Sequence, residues 1–433
     1  MDPLYLALMG FCIMLLLIFL RVPIGVAMAL CGVVGFAQVA GWGAAVSLIA
    51  SEPASAMSNL DLSVIPLFML MGSLAVAGGL ATDIYDVADA LIGHRPGGLA
   101  TTTVLASAGF GSVCGSAVAT TATFGRVAMP EMLARGYKPG LAAGTIAAGG
   151  TLGIIVPPSS IAILYSVLSE QSILQLFAAS FIPAALAVIS YLIAIRISVM
   201  RDPDAAPPGP RLPLGERLRA LKQAWSVIVL ATVVLGGIYS GIFTVNEAAS
   251  VGVFVAFAFV LMRGRLTRHT FVRVLADASS ASAMIYIMVF GANIFSYFIA
   301  VTGGASFVIS SIAAMSVPPI VIIFGLVLVY IFLGAFFDEV AAVVITLPFV
   351  IPLMQHFGYD LIWWGVINIV LIGLGMLTPP IGLNVMLLNT MYKEIPMGVI
   401  FKGVVPFICA DLVRLVILIA FPQISLWLPS VLN

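Results

Sequence analysis

Two stretches of this chain, 222 residues apart, repeat one another without a gap. Val118-Ala119, Pro130, Met132, Gly136-Tyr137, Leu152-Gly153 and Pro157-Pro158 recur as Val340-Ala341, Pro352, Met354, Gly358-Tyr359, Leu374-Gly375 and Pro379-Pro380. Each copy ends on a proline doublet inside an apolar run of helical length. Proline removes a backbone hydrogen bond and clashes with the preceding turn, so each doublet predicts a broken helix. Apolar segments broken at matching places in two halves are the sequence pattern that points to a transporter's binding site.

The solvent of the chain follows from composition. It is 62% hydrophobic and 8% charged over 433 residues, where soluble domains carry about a quarter charged residues. The runs 4–20, 172–195, 224–243, 246–262 and 403–421 are each long enough, or nearly so, to cross ~30 Å of hydrocarbon. No ten-residue alternation of a membrane barrel is visible. The fold class is therefore an all-α polytopic membrane protein, with the lipid bilayer rather than nucleic acid as its medium. Met1-Asp2-Pro3 lacks the basic n-region of a signal peptide, and the first cation, Arg21, follows the apolar run; 4–20 is read as a retained span with its N-terminus outside. Cys12, Cys31, Cys114 and Cys409 stand singly, with neither metal-ligand nor disulfide spacing.

Charge placement predicts topology. Lys and Arg gather at Arg21, Arg95, Arg126/Arg135/Lys138, Arg196 to Lys222, Arg263 to Arg273, and Lys393, Lys402 and Arg414. The positive-inside rule assigns most of these to cytoplasmic connections. Segment 201–222 is a cytoplasmic basic linker that separates a first repeat, 1–200, from a second, 223–433. The connector 41–61 carries Glu52 and Asp61 but no Lys or Arg, as an external loop should. Stretch 98–125 has cations on both sides, so it is expected to enter and leave on one face as a re-entrant hairpin; its Gly/Ser-rich tip must then be buried in protein or face water. From Val274 to Tyr392 there is no Lys or Arg, and the counterpart hairpin, about 320–347, is expected to enter from outside. The halves then have opposite orientation: two inverted-topology repeats with about ten to twelve transmembrane helices, two re-entrant hairpins and two Pro-Pro broken helices (about 140–168 and 361–390). Segment 303–318 fits either a connector or a short helix. Asp83, Asp86 and Asp89 read as a solvated face, and Trp363-Trp364 and Trp427 as an interfacial belt.

Unwinding a helix frees carbonyls near the bilayer midplane, and a hard cation such as sodium takes oxygen ligands without needing a buried charge. Half-helix N-termini can face an anionic substrate. The residue types at the first tip and break nominate Ser112, Gly115, Ser116, Gly150, Thr151 and Pro157 for one sodium site. At the second, Gly334, Asp338, Gly375, Thr378 and Pro379 are nominated. Substrate would sit between the tips, against Thr120, Ser159, Ser160 or Asn384. Arg126 could attract an anion or anchor the cytoplasmic face. Asp338-Glu339 are costly if buried, so they are functional or lie at an aqueous tip. His94, His269 and His356 have no metal-site spacing.

The run Gly109 to Ser160, Arg135-Gly136-Tyr137, Gly334-Ala-Phe-Phe-Asp338 with Pro348 and Pro352, and Gly375-Met-Leu-Thr378-Pro379-Pro380-Ile-Gly382 resemble the large (M) membrane subunit of tripartite ATP-independent periplasmic (TRAP) transporters. The resemblance covers essentially the whole chain. It implies an elevator-type, sodium-driven secondary transporter in the bacterial cell inner membrane, not an enzyme. It further implies a separate periplasmic substrate-binding protein (P subunit), a small four-helix membrane (Q) subunit, and an organic acid substrate such as a C4-dicarboxylate, a sialic or sugar acid or a keto acid. The nearest alternative is a stand-alone sodium- or proton-coupled carboxylate or oxyanion transporter of the same superfamily. An intramembrane protease is disfavoured: no His-Glu-x-x-His exists, and Gly373-Leu-Gly375 is followed by Met376 where an aspartyl protease needs Asp. A passive channel gives no reason for two opposed copies.

Overall fold

The structure is a computed structural model that describes residues 3–315 and 317–432. Every regular element among the described residues is helical. Seven helices are long and apolar enough to cross a membrane, up to nine if each of two bent pairs is one span, and six further apolar helices have 10–17 residues. The chain is a multi-pass membrane protein.

Helix boundaries keep the 222-residue spacing of the sequence. Gly98–Cys114 and Ala117–Ala134 form a first hairpin, with Gly115-Ser116 between the arms; Pro319–Phe336 and Glu339–His356 form a second, with Phe337-Asp338 between them. The first hairpin's second arm thus runs on to Ala134, beyond the expected end near 125. Pro139–Ile155 and Ser160–Leu168 are two pieces of one helix bent by 42°. Leu361–Gly375 and Leu383–Met391 are their counterparts across a longer break. Ile173–Arg201 matches Met397–Ala420, and Ile24–Ala40 matches Val245–Met262. Prolines explain the breaks directly, since Pro157-Pro158 and Pro379-Pro380 fall in the gaps.

Each half packs its helices on the other. Ile24–Ala40 lies along the long helix Arg268–Val301, while Val245–Met262 lies along Leu60–Gly78; Met397–Ala420 crosses Pro139–Ile155, and Ile173–Arg201 crosses Leu361–Gly375. Glycine lets backbones meet at two of these crossings. A Cβ on Gly291 would stand 2.1 Å from the Gly25 carbonyl oxygen, and one on Gly403 would stand 1.8 Å from that of Gly140. Lipid is as apolar as a helix face, so such close packing, not hydrophobic exclusion, holds membrane helices together.

Several local expectations are corrected. The connector 41–61 is not an irregular loop: it contains helix Trp42–Ser58, whose Glu52 is buried and accepts from Asn293 Nδ2 at 3.2 Å. Segment 303–318 holds a short helix, Gly304–Ala314. Trp363 and Trp364 are buried rather than interfacial, Trp363 donating through Nε1 to the Leu418 carbonyl at 3.1 Å. Asp83 and Asp89 are ion-paired, with Arg263 and Arg135. The basic linker carries helix Leu214–Gln223, yet its start is tied to the first hairpin: Lys138 N donates to Ala205 O, Gly97 N to Ala206 O and Gly209 N to Gly93 O.

Candidate functional site

The two hairpin tips touch. Ser116 Oγ donates to Glu339 Oε1 at 3.2 Å, joining residues 223 apart in the chain. Glu339 opens the second arm of its hairpin and is 7% exposed, and its Oε2 has no partner. The equivalent position in the first repeat is Ala117, so the carboxylate belongs to one copy only. Ser116 and Asp338 occupy equivalent places and do equivalent work, each capping the arm that follows: Ser116 Oγ accepts from Ala119 N and Asp338 Oδ1 from Ala341 N. A cap satisfies a free helix amide without another chain segment.

Each tip is seated against its own broken helix. Gly115, at φ 67°, turns the first tip, and its carbonyl accepts from both Ser160 N at 3.1 Å and Ser160 Oγ at 2.7 Å. Ser159 caps the half-helix that starts there, accepting from Ala162 N at 3.2 Å. Gly150 and Gly153 face the second arm so closely that added Cβ atoms would lie 1.8 Å from Thr121 Oγ1 and 2.5 Å from Thr120 Oγ1. In the second copy Gly375 takes the place of Gly153, and a Cβ on it would meet the Gly334 Cα at 2.5 Å. Gly115, Ser116, Gly150, Ser159, Ser160 and Pro157 are therefore brought together, and so are Gly334, Gly375 and the Thr378-Pro379 break. Thr378 Oγ1 itself turns back to Leu374 O at 2.7 Å.

Others of the nominated residues bond within the protein. Ser112 donates to Gly109 O and lines an apolar cavity with Ile84 and Val227. Thr120 is fully buried, donating to Ser116 O at 2.7 Å. Asn384 crosses between the copies: its Nδ2 donates to Ala147 O at 3.0 Å, while its Oδ1, also buried, has no partner. Thr151 points to helix Ile173–Arg201, where its Oγ1 lies 2.9 Å from Tyr191 Oη.

That contact leads to a group the charge pattern misplaced. Tyr191 donates to Asp411 Oδ2 at 2.7 Å, and Asp411 Oδ1 lies 2.8 Å from Arg414 Nη2. Asp411 is 0% and Arg414 3% exposed. Arg414, counted above with cytoplasmic cations, is thus an internal charge, stacked 5.9 Å over the Tyr191 ring. An acid and a base three residues apart inside the apolar run 403–421 were the available signal, because ionisable residues within a span pair with one another. Asn368, in Leu361–Gly375, is also fully buried with its side-chain amide unpartnered.

Helices that pass through a membrane, breaks in two of them, and polar atoms collected where hairpin tips meet define a membrane transport protein. The fold agrees: the YdaH transporter of Alcanivorax borkumensis superimposes with a TM-score of 0.64 over 90% of this chain and 91% of that one, at 16% identity. The chain belongs to the tripartite ATP-independent periplasmic transporter family, DctM component, whose sequence model matches residues 11–424. The C4-dicarboxylate TRAP transporter large permease protein DctM of Pseudomonas aeruginosa is 31% identical over 86% of this chain and 87% of its own length. The sialic acid TRAP transporter large permease protein SiaM of Vibrio cholerae is 29% identical over 89% and 90%.

Proposed function

We propose that this chain carries an organic acid inward across a bacterial inner membrane, driven by sodium, after a periplasmic binding protein delivers the acid. The observation that carries the proposal is the Ser116–Glu339 contact: two hairpin tips meet beside two broken helices, so unwound backbone from both halves converges on one place. The names of both relatives refer to carboxylates, a C4-dicarboxylate and sialic acid. A small four-helix membrane subunit completes the assembly. The halves, 1–200 and 223–433, are inverted repeats, and the hairpins and broken helices move as one body past the remaining spans.

In this mechanism sodium is cargo, held at each break by carbonyls and hydroxyls, with Gly115, Gly150 and Pro157 around one ion and Gly334, Gly375, Thr378 and Pro379 around the other. The acid lies between the tips, where the N-terminal end of the arm Ala117–Ala134, which carries no acidic side chain in its first turn, favours its negative charge. Each net positive charge carried inward gains about 2.3 kcal/mol per 100 mV of membrane potential, so two sodium ions with a monoanion run downhill.

Uptake into proteoliposomes, with binding protein and small subunit added or withheld and sodium replaced by choline, tests the proposal. Uptake should need all three. Uptake that ignores the binding protein would instead favour a stand-alone carboxylate transporter, and uptake unchanged in choline would remove sodium. Pro157→Ala and Thr378→Ala should each raise the sodium concentration for half-maximal uptake; unchanged sodium dependence in both would refute the ligand assignment.

A further inference from the structure

The two repeats each leave a cavity beside the second arm of their hairpin, and the cavities differ in charge. Arg126 and Ala77 line the first, of about 410 Å³; Pro348 and Ile299, 222 residues further on, line the second, of about 250 Å³. No ionisable side chain lines the second. The first is walled by Arg126 from the hairpin, by His269, Arg273 and Asp277 from the long helix Arg268–Val301, and by the hydroxyls of Thr82 and Thr123. Two guanidiniums and an imidazole thus face one carboxylate. Arg126 has no hydrogen bond or ion pair among the described residues, and Arg273 has only a 3.9 Å approach to Asp277 within its own helix. The fold supplies both cavities; the charge in one of them is a property of these side chains.

The charged cavity lies along the same helix that begins at the first tip. The arm Ala117–Ala134, which starts at the Ser116 tip, reaches this cavity with Thr123, Arg126 and Val127. Ten residues of helix place Arg126 about 15 Å from the tip.

We propose that the cavity under Arg126, His269 and Arg273 is an anion-binding vestibule on the Lys/Arg-rich side of the membrane, where the carboxylate pauses between the hairpin tips and the cytoplasm. This rests on the carboxylate reading above. Guanidinium is suited to the task because its planar donors match a carboxylate, and clustered cations attract an anion at a distance. The alternative role of such cations, holding topology by sitting on the inner side, makes a different prediction: it concerns insertion and not the concentration at which cytoplasmic anion binds.

The test is inhibition of uptake by acid preloaded on the cytoplasmic side of oriented proteoliposomes, with succinate and N-acetylneuraminate as probes. In Arg126→Gln/Arg273→Gln the half-inhibiting concentration should rise about tenfold, the loss of two solvent-exposed ion pairs to a carboxylate. The external concentration for half-maximal uptake should stay put, and Arg126→Lys/Arg273→Lys should recover most of the effect. Should the double variant fold poorly, Arg126→Gln alone, at an exposed position, should give a smaller shift in the same direction. Folded Gln variants with unchanged cytoplasmic inhibition would overturn the vestibule while leaving carboxylate uptake intact. Absence of uptake of either acid by the unmodified protein would sink the function and the vestibule together.

Discussion

Tyr191 holds Thr151 on one side and Asp411 on the other, so one hydroxyl links the first broken helix to the last long one. Tyr191→Phe should therefore lower thermal stability in detergent by about 1–3 kcal/mol, the cost of leaving buried groups unpartnered. It should raise half-saturating sodium more than half-saturating acid if Thr151 frames an ion. Asp411→Leu strands the Arg414 charge and should cost about 3–5 kcal/mol, seen as loss of folded protein in size-exclusion profiles. Asp411→Leu with Arg414→Leu should be far milder, since a matched apolar pair replaces a matched ionic one. A double variant as crippled as the single one would mean the pair does more than neutralise itself. Neither partner was legible as an internal charge from the pattern of Lys and Arg alone. That pattern takes every cation for a surface one, and only the neighbouring Asp411 distinguishes Arg414.

The broken helices succeed as elements because glycine faces the hairpins. Gly375→Ala drives a methyl against the Gly334 backbone, and Gly150→Ala drives one into Thr121. Overpacking of this kind costs about 1–3 kcal/mol, and here it should separate tip from break. Both variants should reach the membrane yet lose most sodium-dependent uptake, measured as initial rate per folded protein. The hairpins and breaks were readable in advance because proline and glycine act locally, whatever surrounds them. Helix Trp42–Ser58 was not, because a lack of cations reports the side of the membrane and not whether a connection is helical. The first hairpin's extra turns past 125 were hidden for a related reason: Arg126 looked like the end of an apolar segment, whereas the helix runs through it to Ala134 and Arg126 lines an open cavity.

Movement of hairpins and breaks as one body can be separated from relative movement of the tips. Ser116→Cys with Glu339→Cys, cross-linked across the tip contact, should leave uptake largely intact if both tips travel together. Val127→Cys with Val274→Cys, cross-linked between the hairpin and the long helix across the charged cavity, should stop it, with recovery on reduction. Arrest by the first cross-link and indifference to the second would reverse the picture. The disagreement between the copies then acquires a further meaning. A carrier made of two identical, oppositely facing halves would rest with equal ease toward either compartment. Glu339 standing where the other copy has Ala117, and bare guanidinium standing where the other copy has proline, abolish that indifference. If the halves are the inverted repeats proposed above, such unmatched charges would give the empty machine a preferred posture, from which each transport cycle begins.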